Sequence, residues 1–355
     1  MFGAKPVVGG EFVFSPSLLF SPKLGQFSHY GEGLNQYHRY YTFGAYYSIK
    51  AIIESLECIP GDYILLPSYL CPSIIEPFAE AGVRYDFYKM KEGLVPDIED
   101  ISHKTKTGLR AVFFIDYFGI PQKDILAPLV ASLRARGVSV IQDTVQSWLN
   151  NEADLYGDYC FNSVRKFAPF EASVLFSSVP LNIKSSTKAI KPFLYHKRYA
   201  QLLRFAHLNY GLFKPESFLH HIDKSNQCYH QSGIIGMPNQ NKVMLDRLDF
   251  AAMGRKRRLV YKTLLAQLPI TPALKQDIGD NVPLGLPIYL ENRNELKGKL
   301  HGMDIHCPLH WLLSDEIDKQ EHEYSWELSR HELTLPLNVK LHQLSDYLNK
   351  LKELL

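Results

Sequence analysis

Val138-Ser139-Val140-Ile141-Gln142-Asp143-Thr144-Val145-Gln146 is the stretch on which the reading of this chain turns. Val138–Gln142 reads as a strand, and a carboxylate follows it directly, with a carboxamide three residues further on. Such a carboxylate is either a helix N-cap or the partner of a bound cation. The choice depends on what surrounds it. Upstream, Ala111–Asp116, Val83–Tyr88 and Tyr63-Ile64-Leu65-Leu66-Pro67 are further strand candidates. Between them lie segments with helical spacing, such as Ile125–Arg136. Before the first of these strands, Ile49, Ile52, Ile53 and Leu56 fall on one helical face, and Pro60-Gly61-Asp62 ends that helix. Strands alternating with helices at this interval predict an α/β fold with a mostly parallel sheet. In such sheets ligands bind beyond the carboxyl ends of the strands, so Asp143 stands where chemistry is expected.

Downstream, Gly157-Asp158-Tyr159-Cys160-Phe161-Asn162-Ser163-Val164-Arg165-Lys166-Phe167-Ala168-Pro169 places a hydroxyl and an amine between two apolar runs. A lone lysine is most often a solvated surface residue. Here Phe161, Val164, Phe167 and Pro169 flank it, and partial enclosure lowers an amine's pKa and makes it a usable nucleophile.

The order of these segments resembles the fold-type I pyridoxal-phosphate enzymes, most closely the DegT/DnrJ/EryC1/StrS family of sugar aminotransferases. The segments that carry the resemblance are Gly44-Ala45-Tyr46-Tyr47-Ser48-Ile49, Pro60-Gly61-Asp62-Tyr63-Ile64, Asp143-Thr144-Val145-Gln146 and Ser163-Val164-Arg165-Lys166. Phe118-Gly119-Ile120-Pro121 is similar to a fifth family loop, with Asp116 in the position of its histidine. The resemblance covers roughly residues 30–180, and the C-terminal third only in outline. The chain departs from the family at three points. Phe170-Glu171-Ala172-Ser173 stands where a Gly-Gly pair follows the lysine, the Ser-to-Lys spacing is two residues shorter, and the first helix lacks a threonine.

The resemblance implies pyridoxal 5′-phosphate (PLP) as cofactor, with Lys166 forming the Schiff base and moving the proton, and Asp143 pairing with the pyridine nitrogen. It implies Gln146 on the phenolic oxygen and Tyr69, in Pro67-Ser68-Tyr69-Leu70-Cys71, stacked on the ring. Ala45, Tyr46 and Tyr47 at a helix N-terminus, with the Ser163 hydroxyl, would hold the phosphate. A homodimer is implied, its active site at the interface, with Asn239 or Asn241 of the neighbouring subunit reaching the phosphate. The small-molecule partners are then an amino donor, L-glutamate, and a keto-sugar or related carbonyl acceptor. The alternatives are another PLP reaction on the same fold, such as a lyase or decarboxylase, or a binding or regulatory protein that has lost turnover. A Rossmann-type nucleotide binder is disfavoured because no G-x-G-x-x-G follows a strand.

Composition agrees with a large folded chain. Of 355 residues, 46% are hydrophobic and 21% charged, enough apolar material for a sizeable core. A formal charge of +2 provides no global field for nucleic acid or an anionic membrane. Five scattered cysteines without a C-x-x-C pair fit reduced thiols in a cytoplasmic protein, and no stretch is long enough to span a bilayer. No metal site is expected, since the spacing of His301, His306, Cys307 and His310 matches no ligand pattern; the resemblance implies instead that His310 and Trp311 are candidates for contact with substrate. The run Arg255-Lys256-Arg257-Arg258 reads as a solvated helix face. The expected organisation is an irregular N-terminal arm over 1–40, a large PLP-binding α/β domain over 41–244, and a small α+β domain over 245–355. The last is expected to begin with an extended helix over Val243–Leu265, interrupted at Gly254.

Overall fold

A computed structural model describes residues 7–150, 154–274 and 277–355. Its centre is a seven-stranded sheet formed by β1 (His38–Thr42), β2 (Tyr63–Pro67), β3 (Arg84–Tyr88), β4 (Leu109–Ile115), β5 (Ser139–Asp143), β6 (Tyr159–Phe161) and β7 (Ser173–Ser177). The spatial order is β1-β7-β6-β5-β4-β2-β3. Strands β3, β2, β4, β5 and β6 pair in parallel, whereas β7 is antiparallel to both β6 and β1. Parallel sheets of this kind are covered on both faces, which is why β4 reads Leu-Arg-Ala-Val-Phe-Phe-Ile and is buried at all but its arginine. The strands sit within a residue or two of their expected places, and the α/β class is as expected.

Helices α1 (Ala45–Leu56), α2 (Pro72–Glu80) and α3 (Lys123–Ala135) are sheet crossovers. After β7 the chain builds a helical hairpin from α4 (Lys191–Tyr210) and α5 (Pro215–Gln227), which pack mainly on each other. Two helices, α6 (Asn239–Leu245) and α7 (Phe250–Gln267), follow where one interrupted helix was expected. The break falls at Asp246–Asp249 and not at Gly254. Asp249 caps α7 by accepting from the Ala252 N–H at 2.8 Å, while Asp246 is taken up by the arm, accepting from the Ser28 N–H at 2.7 Å. Gly254 stays helical, and its bare Cα admits Val282, whose Cγ2 would lie 3.1 Å from a Cβ. Beyond α7, β8 (Leu286–Tyr289) and β9 (Glu332–Leu335) form an antiparallel pair, and α8 (Leu344–Leu354) closes the chain with Leu348 and Leu351 buried.

The arm lies on the body of its own chain. Val8–Gly9 pairs in parallel with Ile305–His306. Phe14 and Phe27 are buried in a cluster with Trp148, Phe167, Phe170 and Phe250, and Phe14 meets Phe170 edge-on at 5.9 Å. The arm thereby meets the C-terminal third of the chain. No helix among the described residues is long and apolar enough to cross a membrane.

Candidate active site

Each residue of the candidate site emerges from a strand end. Asp143 is the last residue of β5 and is 4% exposed. Its Oδ1 accepts from the Val145 N–H at 2.8 Å, an Asx-type turn that gives the carboxylate a fixed direction, and the side chain lines a cavity of about 280 Å³. Burial pushes its carboxyl up to about 7, and the neighbouring Asp116 adds to that, against a backbone hydrogen bond and the Lys166 amine that favour ionisation. A buried carboxyl held this far up gains most from a cationic partner.

Gln146 lines the same cavity, one turn beyond Asp143. Its Oε1 accepts from the Phe118 N–H at 2.6 Å, in a turn where Phe118 adopts φ 53°. With that assignment the amide Nε2 is the donor left for a ligand.

Ser163 and Lys166 sit on the connection from β6 to β7. Lys166 ends a 3₁₀ turn over Val164–Lys166. The Val164 N–H donates to the Ala172 carbonyl at 2.9 Å and closes the base of the loop, while Val164 and Phe167 are fully buried and anchor it. Lys166 is thereby presented from a rigid support to the cavity that Asp143 lines. Burial, with Arg165 next in effect, lowers its pKa, against Cys71 and Asp143, which raise it. This is the direction that supplies a neutral amine.

The far end of the cavity is the N-terminus of α1. Its first bonds run from the N–H groups of Tyr47 and Ser48 to the Gly44 carbonyl, at 3.0 and 3.2 Å. The N–H groups of Ala45 and Tyr46 have no partner inside the helix and both residues line the cavity, so the turn has the donors and dipole that suit an anion. Gly44 is needed here for space, since a Cβ would lie 2.5 Å from the Tyr229 hydroxyl.

Three expected contacts are not formed. Tyr47 does not line the cavity: its N–H is used by Gly44, and its buried ring sends the hydroxyl to the Tyr229 carbonyl. Tyr69 is fully buried one layer behind, with its ring 5.9 Å from Tyr117 and 5.5 Å from Trp311, and its hydroxyl donating to the His310 carbonyl. Cys71, two residues further along, and Trp311 line the cavity in its stead. Asn241 is committed within its own chain, donating to the Glu171 carbonyl and accepting from Arg198, both at 2.7 Å. Asn239 is exposed in the first turn of α6, outside the walls of this cavity.

Lys166 also borders a second cavity of about 440 Å³, whose walls come from both ends of the chain: Gly9–Phe12, Arg257, His306–Pro308, His310 and Pro336–Asn338. His310 is fixed by the Glu332 carboxylate on its N–H at 2.8 Å and by Thr334 on Nδ1 at 2.7 Å. Burial, and then Lys166, hold it well below the usual imidazole range and therefore neutral. Between the cavities Lys197 lies 3.0 Å from Glu11 and 3.7 Å from Glu171, so the arm is tied across the opening by an ion pair. Glu11, Lys197 and Arg257 escaped the sequence reading. For Arg257 the signal was present: it shares a helical face with Phe250, Gly254, Tyr261 and Leu264, all buried.

No family description matches the sequence, and no curated protein matches it. Solved structures do match in shape. A DegT/DnrJ/EryC1/StrS aminotransferase from Brucella abortus is similar over 96% of this chain and 91% of its own, with a TM-score of 0.62 and 14% identity. NtdA from Bacillus subtilis, solved with PMP bound, is similar over 97% of this chain and 78% of its own, with a TM-score of 0.65 and 14% identity. The sugar aminotransferase CalS13 from Micromonospora echinospora is similar over 99% of this chain and the whole of its own, with a TM-score of 0.65 and 13% identity. Over nearly its whole length the chain has the fold of the DegT/DnrJ/EryC1/StrS aminotransferases.

Proposed function

We propose that the chain is a PLP-dependent aminotransferase that moves an amino group from an amino acid, L-glutamate, to a keto-sugar or related carbonyl acceptor, and that it works as a homodimer. The observation that carries the reading is convergence. A buried carboxyl, an amine of lowered pKa, a carboxamide donor, a hydroxyl and a helix N-terminus all line one cavity of about 280 Å³. These groups fit PLP by their chemistry: an acceptor for a protonated ring nitrogen, a donor for a phenolate, N–H groups for a phosphate and an amine for an aldehyde.

PLP would supply an electron-withdrawing ring and an aldehyde that carries the amino group between donor and acceptor. Asp143, its direction fixed by the Val145 N–H, would pair with the ring nitrogen and hold its proton. Gln146 would donate from Nε2, and Ala45, Tyr46 and Ser163 would hold the phosphate end. Lys166, whose pKa burial lowers, would anchor the cofactor through its amine and would be the group that moves the proton to and from the substrate Cα. The neutral His310 beside it does not compete for that proton.

The homodimer reading draws support from large apolar residues exposed on the α4–α5 hairpin, among them Tyr195, Tyr199, Leu202, Leu212 and Phe213. A second copy covering that hairpin is the occupant proposed, with Asn239 as the residue reaching across; sedimentation equilibrium at micromolar concentration would give the mass directly, and a strictly monomeric holoenzyme would remove this part of the reading. The activity is tested by incubating the protein with PLP, reducing with borohydride and mapping the pyridoxyl mass. Attachment at Lys166, with glutamate converting the visible band to that of PMP, is the expected result. No adduct at Lys166 overturns the cofactor reading, and an adduct without response to any amino donor leaves a binding protein or another PLP reaction.

A further inference from the structure

Three polar side chains at the wall of the second cavity form a chain of hydrogen bonds apart from the groups that suit the cofactor. His310 and Thr334 line that cavity together with Lys166, and Glu332 stands behind them at the start of β9, 1% exposed. The Thr334 hydroxyl donates to Glu332 Oε1 and meets His310 Nδ1 at 2.7 Å, and the His310 N–H donates to Glu332 Oε2 at 2.8 Å. The His310 carbonyl accepts from the Tyr69 hydroxyl, and its ring stands edge-on to Phe118 at 5.5 Å, so the imidazole is held from three sides. Its Nε2 has no hydrogen-bond partner among the described residues and is the atom left to meet a ligand.

This chain has two arrangements of its protons. In the first, Glu332 is a carboxylate that accepts from Thr334, Thr334 accepts from Nδ1–H, and Nε2 presents a lone pair. In the second, the Glu332 carboxyl donates to the Thr334 oxygen, Thr334 donates to Nδ1, and Nε2 carries the hydrogen. Between them one proton enters at Nε2, the Nδ1 proton passes to Thr334, and the Thr334 proton passes to Glu332 Oε1. The imidazole is neutral in both. Burial, and then Lys166, oppose a cation on His310, whereas a proton that ends on Glu332 cancels a buried negative charge and creates no positive one. Burial pushes the Glu332 carboxyl up to about 8, against Thr334, the His310 N–H and Arg293, which favour ionisation. The three residues together are therefore a base matched to neutral pH, although the imidazole alone is a weak one. Tyr69 and Cys307 also face Glu332, and burial and that carboxylate push both upward, so they stay uncharged.

We propose that Glu332, Thr334 and His310 are a proton relay, in which His310 Nε2 takes the proton that the ammonium group of the amino donor loses before its nitrogen can act as a nucleophile. An ammonium has no lone pair, and a base inside the cavity provides one by removing a proton. His310 is then a further catalytic residue, and Thr334 and Glu332 are positioning residues that carry the proton away from it. The task assigned to the relay rests on the reading of Lys166 as the reaction centre; the relay itself is a property of the chain without cofactor.

The first readout is the pair of nitrogen-15 shifts of His310 in cofactor-free protein, followed across about pH 6 to 10 and assigned by their loss in His310→Gln. The ring is expected to stay neutral and to change from the Nε2–H to the Nδ1–H tautomer near the Glu332 midpoint of about 8, and Glu332→Gln to hold it in one tautomer throughout. A single tautomer in wild type, or a ring that becomes cationic within this range, overturns the relay. The second readout is the rate of the donor half-reaction at limiting glutamate. Glu332→Gln is expected to lower it by about 10²-fold and to remove the ascending limb near that midpoint, leaving only the titration of the donor itself. Thr334→Val is expected to do the same, and Thr334→Ser, which keeps the hydroxyl, to restore most of the rate and the limb. Pyridoxyl labelling of Lys166 should stay near wild type in all three. A merely structural role would lower the thermal stability of both Thr334 variants and leave the limb in place in their folded fraction, which overturns the proposal. Should Glu332→Gln not fold, the Thr334 pair decides. A tautomer change in wild type together with an unchanged limb in the variants overturns the assignment to the donor ammonium. If no adduct forms at Lys166, the cofactor reading fails on its own, while the nitrogen shifts still read the relay.

Discussion

The two cavities that meet at Lys166 are built in opposite ways. The one lined by Asp143, Gln146, Ser163 and the start of α1 takes these residues from strand ends and one helix start in a single sheet, over residues 45–166. The one lined by Arg257 takes its walls from the arm, α7 and the last fifty residues, brought together only by tertiary packing. The first is set by rigid backbone, with the loop to Lys166 clamped at Val164 and Ala172. The second is closed by side chains, and the ion pair from Glu11 to Lys197 is a strap in the walls of both. The comparison teaches that the chemistry of this fold is carried by its sheet, and its selectivity by whatever the chain ends contribute.

The largest effects should come from the sheet side. Lys166→Ala is expected to abolish pyridoxyl labelling and to lower turnover by about 10⁴-fold, at the upper end of what a proton-moving group contributes. Residual labelling at another lysine would break the comparison, since the amine would then not need this loop. Asp143→Asn, of the same shape, is expected to cost about 10²-fold or more in kcat while the cofactor still binds, because an amide cannot hold the ring proton. Stopped-flow absorbance of the donor half-reaction separates that from a binding defect.

Asp143 also makes a prediction about pH. Burial holds the carboxyls of Asp143 and Asp116 at about 7, whereas in the unfolded chain they titrate near their ordinary value. Between about pH 4 and 7 the cofactor-free folded state therefore binds more protons than the unfolded state, and stability falls as pH rises through that window. Asp143→Asn should flatten the slope, gaining on wild type at pH 8 and losing that gain toward pH 4. Thermal melts across the window check the sign, and an opposite slope would mean that Asp143 has a cationic partner within the chain.

Gly44→Ala tests the anion turn. A Cβ 2.5 Å from the Tyr229 hydroxyl must push α1 or Tyr229 aside, at about 1–3 kcal/mol, with cofactor affinity reduced about tenfold. Fluorescence titration with PLP would detect it; an unchanged affinity would show that the N–H groups of Ala45 and Tyr46 are not the phosphate donors. The smallest effect is expected at the strap. Glu11 is about half exposed, so Glu11→Gln should change stability by less than about 1 kcal/mol and act chiefly on substrate entry, read as a change in KM without loss of labelling.

Much of the first cavity was legible because position after a strand is a local property. The residue that follows Val138–Gln142 must stand at the carboxyl edge of the sheet, and so must the segment after Tyr159–Phe161. Tyr69 shows the limit of that reasoning. It too follows a strand, but whether a side chain two residues past β2 faces ligand or core depends on the Tyr117 and Trp311 rings that fill the space beside it. Tyr47 fails for a similar reason, as the third N–H of a helix is already within reach of the capping carbonyl. Arg257 was hidden in a run of four cations whose summed charge suggested solvent, although the 3.6-residue period places it on the buried face of α7.

By itself the sequence determined the strand–helix alternation and the order of the strand-end residues, because apolar periodicity and chain direction dictate which residues reach the edge of a parallel sheet, while the family resemblance of those segments singled out the lysine, carboxylate and carboxamide. Only the tertiary structure decided which aromatic rings are wall and which are core, that the arm folds back over the site of its own chain, and that Arg257 is buried at the wall of the second cavity. Those depend on contacts between residues more than two hundred positions apart, such as Gly9 with His306, and no local pattern encodes which distant surface will meet which.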